Sequence, residues 1–487
     1  MAGPSIAPRE WAVVVAGGAT LGWTAWAFAG VQQWTLHSML VGAALTFLLS
    51  IVPLPKRFNG SDGEHGNAKN IKRLLTFPFF WFSSMLLLYI VIQGLNPSWR
   101  ALEMNPLWIA EEVQPPVAWL PTGVQSDYEP MNAFRVLSSF SAAFMLCWGL
   151  WVGIRRRQSA VAVLWILAVS GTLMGMVAIL QKLSDANGLL WMVKSSNQSF
   201  WGSFFYRNQA AAYLVQVMVA SAVLFFYHYN QSERRAQAGG PYLLLGIFIA
   251  LTAASLGLAL SRGGILFGSL FLGVFVVAAI GRFLLSVSLQ RSLIISGLVV
   301  MILAGGGYAA SRMINVEDIQ RRFGDIGETI ATADQDSRAI CTKITWRMAQ
   351  EELLFGWGAG SWRYIFPMYQ KSYPEIYYTR YHRKKGWIGR RAYRYAHNDI
   401  VQFLFEFGIV GCSLLLLSWG YWLFSLCFRA SGNALAAFML LCGMGLACGH
   451  AFVDFIFNSP AYWIAFNGLL CIAVKLLALH SERVRHH

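Results

Sequence analysis

His397 and Asn398 stand where a long polar stretch gives way to an apolar run, with Gly408 and Gly411 further along (HNDIVQFLFEFGIVG). A histidine there faces the unpaired N–H groups of a helix's first turn. Their positive end disfavours imidazolium, so the ring stays neutral near pH 7 and able to accept a proton. The plainer reading is a helix cap, Asn being a common N-cap residue. Ser261-Arg262-Gly263-Gly264 makes so tight a connection between two apolar runs that Arg262 is expected at or just below a membrane interface. A cation there is costly and usually has a task, and guanidinium beside glycine N–H groups suits an anion such as phosphate. The alternative is an arginine snorkelling to lipid headgroups. Arg207-Asn208-Gln209 opens another apolar run on the same face and carries the same two readings.

From Tyr377 to Tyr395 (YYTRYHRKKGWIGRRAYRY), Arg380, Arg383, Lys384, Lys385, Arg390, Arg391 and Arg394 interleave with aromatics. Positive charge suits pyrophosphate and flat rings suit sugars; a basic aromatic patch resting on anionic lipid fits the same composition. His450 and Asp454, at i,i+4 on one helix face, either orient and charge-balance a base or satisfy each other within a bundle. Glu406 lies about 13 Å along a helix from His397, too deep for a headgroup-level substrate, and is expected to pair inside the bundle. Gly356-Trp357-Gly358-Ala359-Gly360 resembles a nucleotide loop only superficially, since no strand precedes it.

The elements that must position these groups are membrane spans. Of 487 residues, 56% are hydrophobic and only 13% charged, more apolar surface than a soluble core of this size hides. Runs of spanning length lie near 11–30, 36–53, 75–94, 133–153, 159–181, 208–228, 241–260, 263–281, 291–310, 399–427, 434–455 and 460–480. The expectation is an all-α polytopic membrane protein of about twelve transmembrane helices with both termini on one side. That side holds Arg9, Lys56, Arg57, Lys69, Lys72, Arg73, Arg155, Arg156, Arg157, Arg234, Arg235, Arg282, Arg291, Arg429, Arg483 and Arg485, and is therefore cytoplasmic. The net charge of +15 does not signal nucleic acid, because the basic residues are scattered between spans and form no soluble basic domain.

Three regions follow: 1–311 with helices one to nine, an extracytoplasmic cap over 312–396, and 397–487 with helices ten to twelve and a cytoplasmic tail. Within the cap, Val316, Ile319, Phe323, Ile326 and Ile330 lay an apolar stripe along one amphipathic helix. A second is expected from about Arg338 to Leu354, with Ile340, Ile344 and Met348 on one face, ending at Gly356, Gly358 and Gly360. Six of seven cysteines fall in apolar stretches and leave Cys341 alone in the cap, so no disulfide framework or metal-ligand spacing is present. Ala27-Phe28-Ala29 offers a cleavage-like site, but the run from Trp11 is long for a signal segment and reads as an uncleaved first span.

These motifs resemble the O-antigen ligase and polysaccharide polymerase superfamily of bacterial membrane glycosyltransferases, which includes protein O-oligosaccharyltransferases. Arg207-Asn208-Gln209-Ala210 is similar to its Asn-containing motif, Ser261-Arg262-Gly263 to its Ser-Arg motif, Trp346 through Gly360 to its glycine stretch, and His397-Asn398 with Gly408 and Gly411 to its histidine signature. The likeness spans roughly 200–470. It implies a metal-independent, inverting transfer in the inner membrane, without cofactor, at a site facing the periplasm. A glycan on undecaprenyl pyrophosphate is attacked at its anomeric carbon by an acceptor hydroxyl of a glycan, lipid A core or protein. By that resemblance Arg262 binds pyrophosphate, and His397 activates the acceptor or contacts the reacting phosphate. The family's second arginine, just before the tryptophan matched by Trp346, has no direct counterpart; Arg338, then Lys343, then Arg347 are the candidates. The competing class is a transporter or flippase of polyprenyl-linked or other anionic lipids, which would need ionisable residues near the midplane, Glu406 being the main one.

Overall fold

The computed structural model describes residues 6–60, 65–104, 107–126, 132–195, 197, 199–235, 239–286, 336–382, 385–429 and 433–484. Among the described residues, nine α-helices precede the cap: α1 (Pro8–Thr24), α2 (Gln33–Ile51), α3 (Gly66–Leu75), α4 (Pro78–Leu95), α5 (Ala133–Gly153), α6 (Arg157–Leu183), α7 (Arg207–Arg234), α8 (Pro241–Leu258) and α9 (Arg262–Ser286). The cap holds α10 (Ser337–Glu351), α11 (Trp362–Gln370) and α12 (Pro374–Tyr377), and the chain closes with α13 (Asp399–Arg429), α14 (Ala434–Ala451) and α15 (Pro460–Val484). Among the described residues, ten helices are long and apolar enough to cross a membrane: α2, α4 to α9 and α13 to α15. Of the twelve runs read from the sequence, 11–30 is a 17-residue helix that ends at Thr24, and 291–310 lies outside the described residues. So does the Val316 to Ile330 stripe.

The bundle is organised around α7, buried along its whole spanning length and flanked by α6, α8, α9 and α14. α8 and α9 keep one apolar face outward, with Leu243, Ile247, Leu266, Leu270 and Val277 exposed, as lipid-facing helices do. At the end opposite His397, Arg9 is buried and its guanidinium donates to Leu49 O (3.0 Å), to Asn59 Oδ1 (2.9 Å), to Asn67 Oδ1 (2.8 Å) and to Val52 O. Buried Glu10 accepts from the N–H groups of Arg155 and Arg156, and Arg155 donates to Asn70.

At the His397 end the connections fold into a cap with its own core, in which Ile344, Met348, Trp357, Trp362, Phe366 and Phe405 are buried together. The sequence reading missed a three-stranded sheet here. Strands β1 (Pro97–Met104), β2 (Leu107–Glu112) and β3 (Gly123–Ser126) lie in the order β2-β1-β3, antiparallel then parallel, with Trp99 near Trp357. Two short hairpins complete that end, β4 (Gly188–Leu189) with β5 (Val193–Lys194) and β6 (Arg380–His382) with β7 (Gly386–Ile388).

The cap is fastened into α13 itself. At Gly408 (φ 60°, ψ −169°) the helix breaks, which frees backbone groups on either side. Residues 353–358 take them up. Trp357 N–H donates to Phe405 O (2.8 Å) and Gly358 N–H to Glu406 O (3.0 Å), while Ile409 and Val410 donate to Leu353 and Leu354 O (2.9 and 3.2 Å). From α4, Tyr89 donates to Phe355 and Phe407 O, and Gln93 Nε2 to Phe355 and Glu406 O. A Cβ on Gly356 would come within 2.5 Å of Gly408 N, and one on Gly408 within 2.5 Å of Gly356 N. The glycine stretch is therefore glycine because two backbones touch.

Candidate functional site

Each candidate side chain is placed by a helix terminus. Asn398 caps α13, accepting from Val401 N–H (3.1 Å), and Gln402 reaches back to accept from Ala396 N–H (3.0 Å). Pinned between them, His397 adopts φ 58°, a left-handed conformation that costs a non-glycine residue about 1 kcal/mol and tends to occur where function demands it. Its ring packs edge-on against Phe455 (4.9 Å between centroids) and near Tyr393, and its Nδ1 is buried without a hydrogen-bond partner. Burial holds its pKa below the ordinary histidine value; Asp454 pulls upward and Arg338 reinforces the depression. The expected neutral ring therefore stands, with desolvation as its main cause rather than the helix end.

Arg262 is the first residue of α9, after a three-residue reversal in which Leu260 has φ 52°. Ser261 caps that helix, its hydroxyl accepting from Gly264 N–H (3.2 Å), so this N–H is not left open for an anion. The two glycines serve close packing instead: a Cβ on Gly263 would lie 2.6 Å from His450 Nε2, and one on Gly264 2.3 Å from Ala211 Cβ. Arg207 begins α7. Beside it, Asn208 donates to Asp454 Oδ2 (2.5 Å) and Gln209 to Phe455 O (3.1 Å), tying the start of α7 to the turn after α14. Asp399 locks α13 to the same turn by accepting from Phe457 N–H (2.7 Å) and Asn458 Nδ2 (2.6 Å).

Two adjoining cavities meet at His397. A polar one of about 450 Å³ is lined by Tyr206, Arg207, Asn208, Arg262, Arg338 and His397, among others. A largely apolar one of about 620 Å³ shares Arg262, Arg338 and His397 and adds Lys343, Trp346, Val401 and Asp454. Trp346, Phe452 and Val453, half exposed, form its outer rim. Three guanidinium groups around one neutral imidazole suit a substrate carrying two phosphates beside a reacting hydroxyl.

Sequence reasoning and geometry part company at several residues. His450 and Asp454 do not share a helix face, because α14 ends at Ala451 and Asp454 lies in the following turn. His450 stacks on Phe267 behind Gly263, while Asp454 reaches the cavity. Among the candidates for the second arginine, Arg338 lines both cavities, Lys343 only the apolar one, and Arg347 neither. Of the basic aromatic run, Tyr393 packs near His397 and Tyr395 stacks on Phe455 (4.7 Å), but none of its described Lys or Arg residues lines either cavity, and Arg383 and Lys384 lie outside the described residues. Arg390 lies over the Tyr377 ring (5.6 Å), Arg391 donates to Thr379 O, and Arg394 is exposed; Arg380 pairs across the hairpin with Ile388. Glu406 pairs with Gln402 (2.9 Å) and accepts from Gly360 N–H (3.1 Å), so its partner is the cap as much as the bundle. Asp336 was missed, although an Asp directly before a helical stretch is a capping signal. It caps α10 and lines both cavities.

Residues 247–416 fit the model of the O-antigen ligase family, a stretch that includes Arg262, Arg338, Lys343 and His397 and leaves out Arg207, Asp454 and His450. No curated protein matches the chain.

Proposed function

We propose, taking as premise the O-antigen ligase superfamily that the match over 247–416 supports, that this chain transfers a glycan from undecaprenyl pyrophosphate to an acceptor hydroxyl at its His397 end. The observation that carries the reading is the gathering of Arg207, Arg262, Arg338 and His397 around one polar cavity that opens into an apolar one. Arg262 and Arg338, which line both cavities, hold the pyrophosphate and stabilise the charge it gains as it leaves. The apolar cavity, with its exposed Trp346, Phe452 and Val453, takes the first isoprene units. His397, uncharged, accepts the proton of the attacking hydroxyl; the new glycosidic bond forms as the bond to pyrophosphate breaks, with inversion at the anomeric carbon. The positive-inside pattern of the sequence supports the reading that this end faces the periplasm from the inner membrane, with both termini cytoplasmic.

Glu406, on which a transport reading leans, is engaged by Gln402 and the Gly360 N–H in fastening the cap, which favours chemistry over passage. The test supplies purified protein with undecaprenyl-pyrophosphate glycan and an acceptor. Wild type transfers sugar, and His397→Ala and Arg262→Ala each lose at least about a hundredfold. A wild type that transfers nothing, or variants that match it, overturns the reading.

A further inference from the structure

A third cavity, of about 340 Å³, lies between the end of α6, the β4–β5 hairpin and the α8–α9 corner. It shares Ser199 and Arg207 with the polar His397 cavity and no lining residue with the apolar one. The three spaces thus run in order, apolar, central and polar, with His397 and Arg262 lining the first two.

The lining is suited to sugar. Gln181, Lys182, Asp185, Asn187 and Ser195 supply amide, hydroxyl and charged groups of both signs, and the buried Trp201 supplies an aromatic wall, its Nε1 held by Ser255 (3.1 Å). Gln181 is 2% exposed; its Nε2 donates to Gly188 O (3.3 Å), and its Oε1 is buried with no hydrogen-bond partner. An acyl chain would leave these groups unpaired, whereas ring hydroxyls both donate and accept. The walls are built at a cost: Asp185 and Leu260 hold φ of 47° and 52°, and Arg207 N–H is fixed to Ser199 O (2.9 Å).

An inverting displacement needs the attacking oxygen on the side of the anomeric carbon away from the leaving pyrophosphate. With the lipid in the apolar cavity, that side is the one toward Arg207. From this order of spaces we infer that the third cavity is the acceptor subsite. It binds the terminal sugars of an acceptor glycan and presents one ring hydroxyl to His397. The acceptor oxygen bonds to the anomeric carbon, the hydroxyl proton passes to the imidazole, and the electron pair of the broken bond leaves with the lipid pyrophosphate. The inference rests on the transfer reading above.

The full chain is assayed with a donor whose terminal hydroxyl is blocked, so that it can only donate. The acceptor is either the same glycan on an uncleavable lipid phosphonate or lipid A core, and the arm that wild type serves identifies the source. Lys182 and Asn187 are exposed, so the K182A/N187A double variant keeps the fold; Asp185→Asn keeps a residue that tolerates the left-handed backbone. Each raises the acceptor KM about tenfold while kcat at saturation and the donor KM stay at wild-type values. An unchanged acceptor KM in variants that still transfer overturns the subsite and leaves the transfer reading standing, and a raised donor KM instead overturns it by assigning the cavity to the donor glycan. No transfer by wild type in either arm removes the transfer reading and the subsite together.

Discussion

Arginines at the two ends of the bundle have opposite settings. Arg9 is 4% exposed and spends its guanidinium on Leu49, Val52, Asn59 and Asn67, while Glu10 beside it ties down two backbone N–H groups. Arg207, Arg262 and Arg338 instead border a cavity that also receives a histidine in a left-handed conformation. Burying a charge is tolerable when the protein supplies its partners, and that end of the molecule reads as fold. Arranging charges around an open volume, beside a strained base, reads as readiness for a ligand. Residue type does not separate the two uses; the surroundings do.

The sharpest way to break this contrast is His397→Gly. Glycine adopts φ 58° freely, so the variant should melt at or above the wild-type temperature while losing roughly a hundredfold or more in transfer. Thermal unfolding in detergent, run beside turnover, checks both halves; a variant that loses stability and activity together would make His397 a structural residue. Arg338→Lys comes next. It keeps the charge but not the two-pronged donor, and turnover should fall about tenfold with the fold intact. At the other end Arg9→Leu should cost about 2–3 kcal/mol by stranding its acceptors, with kcat per folded molecule unchanged.

The smallest effect is in pH. Because burial lowers the folded pKa of His397, the unfolded ring takes up a proton below about pH 6.5 that the folded ring refuses. Stability from this residue is thus level above that pH and declines as pH falls through the window beneath it. Turnover should likewise be flat from about pH 6.5 to 8 and drop only on the acid side. A midpoint near the ordinary histidine value would place the ring in water.

Spans were legible because hydropathy alone marks them, and their starts at Arg207, Arg262 and Asp399 agree with the runs near 208, 263 and 399. Their ends were less so: the run over 434–455 stays apolar through Phe452 and Val453, yet the helix stops at Ala451 so that the next residues can turn and meet Asn208, Gln209 and Asp399. Arg262, Arg207 and His397 were visible as polar residues at apolar boundaries. Arg338 could be ranked before Lys343 but not placed, since its position depends on Asp336 setting the start of α10. The β1–β3 sheet escaped notice because half its pairing is with residues beyond a turn-rich stretch, where no periodicity announces it. The meaning of Gly356 and Gly358 was hidden too, as it resides in carbonyls of a helix far along the chain.

That insertion of 353–358 into the break in α13 has a consequence for how the protein is made. Carbonyls freed inside a spanning helix have no water to turn to, so α13 is incomplete as an isolated segment. Its missing partners are synthesised earlier and have already emerged when α13 enters the membrane. Biosynthetic order thus delivers the plug before the hole, and a circular permutant that reversed this order would strand the helix unfinished.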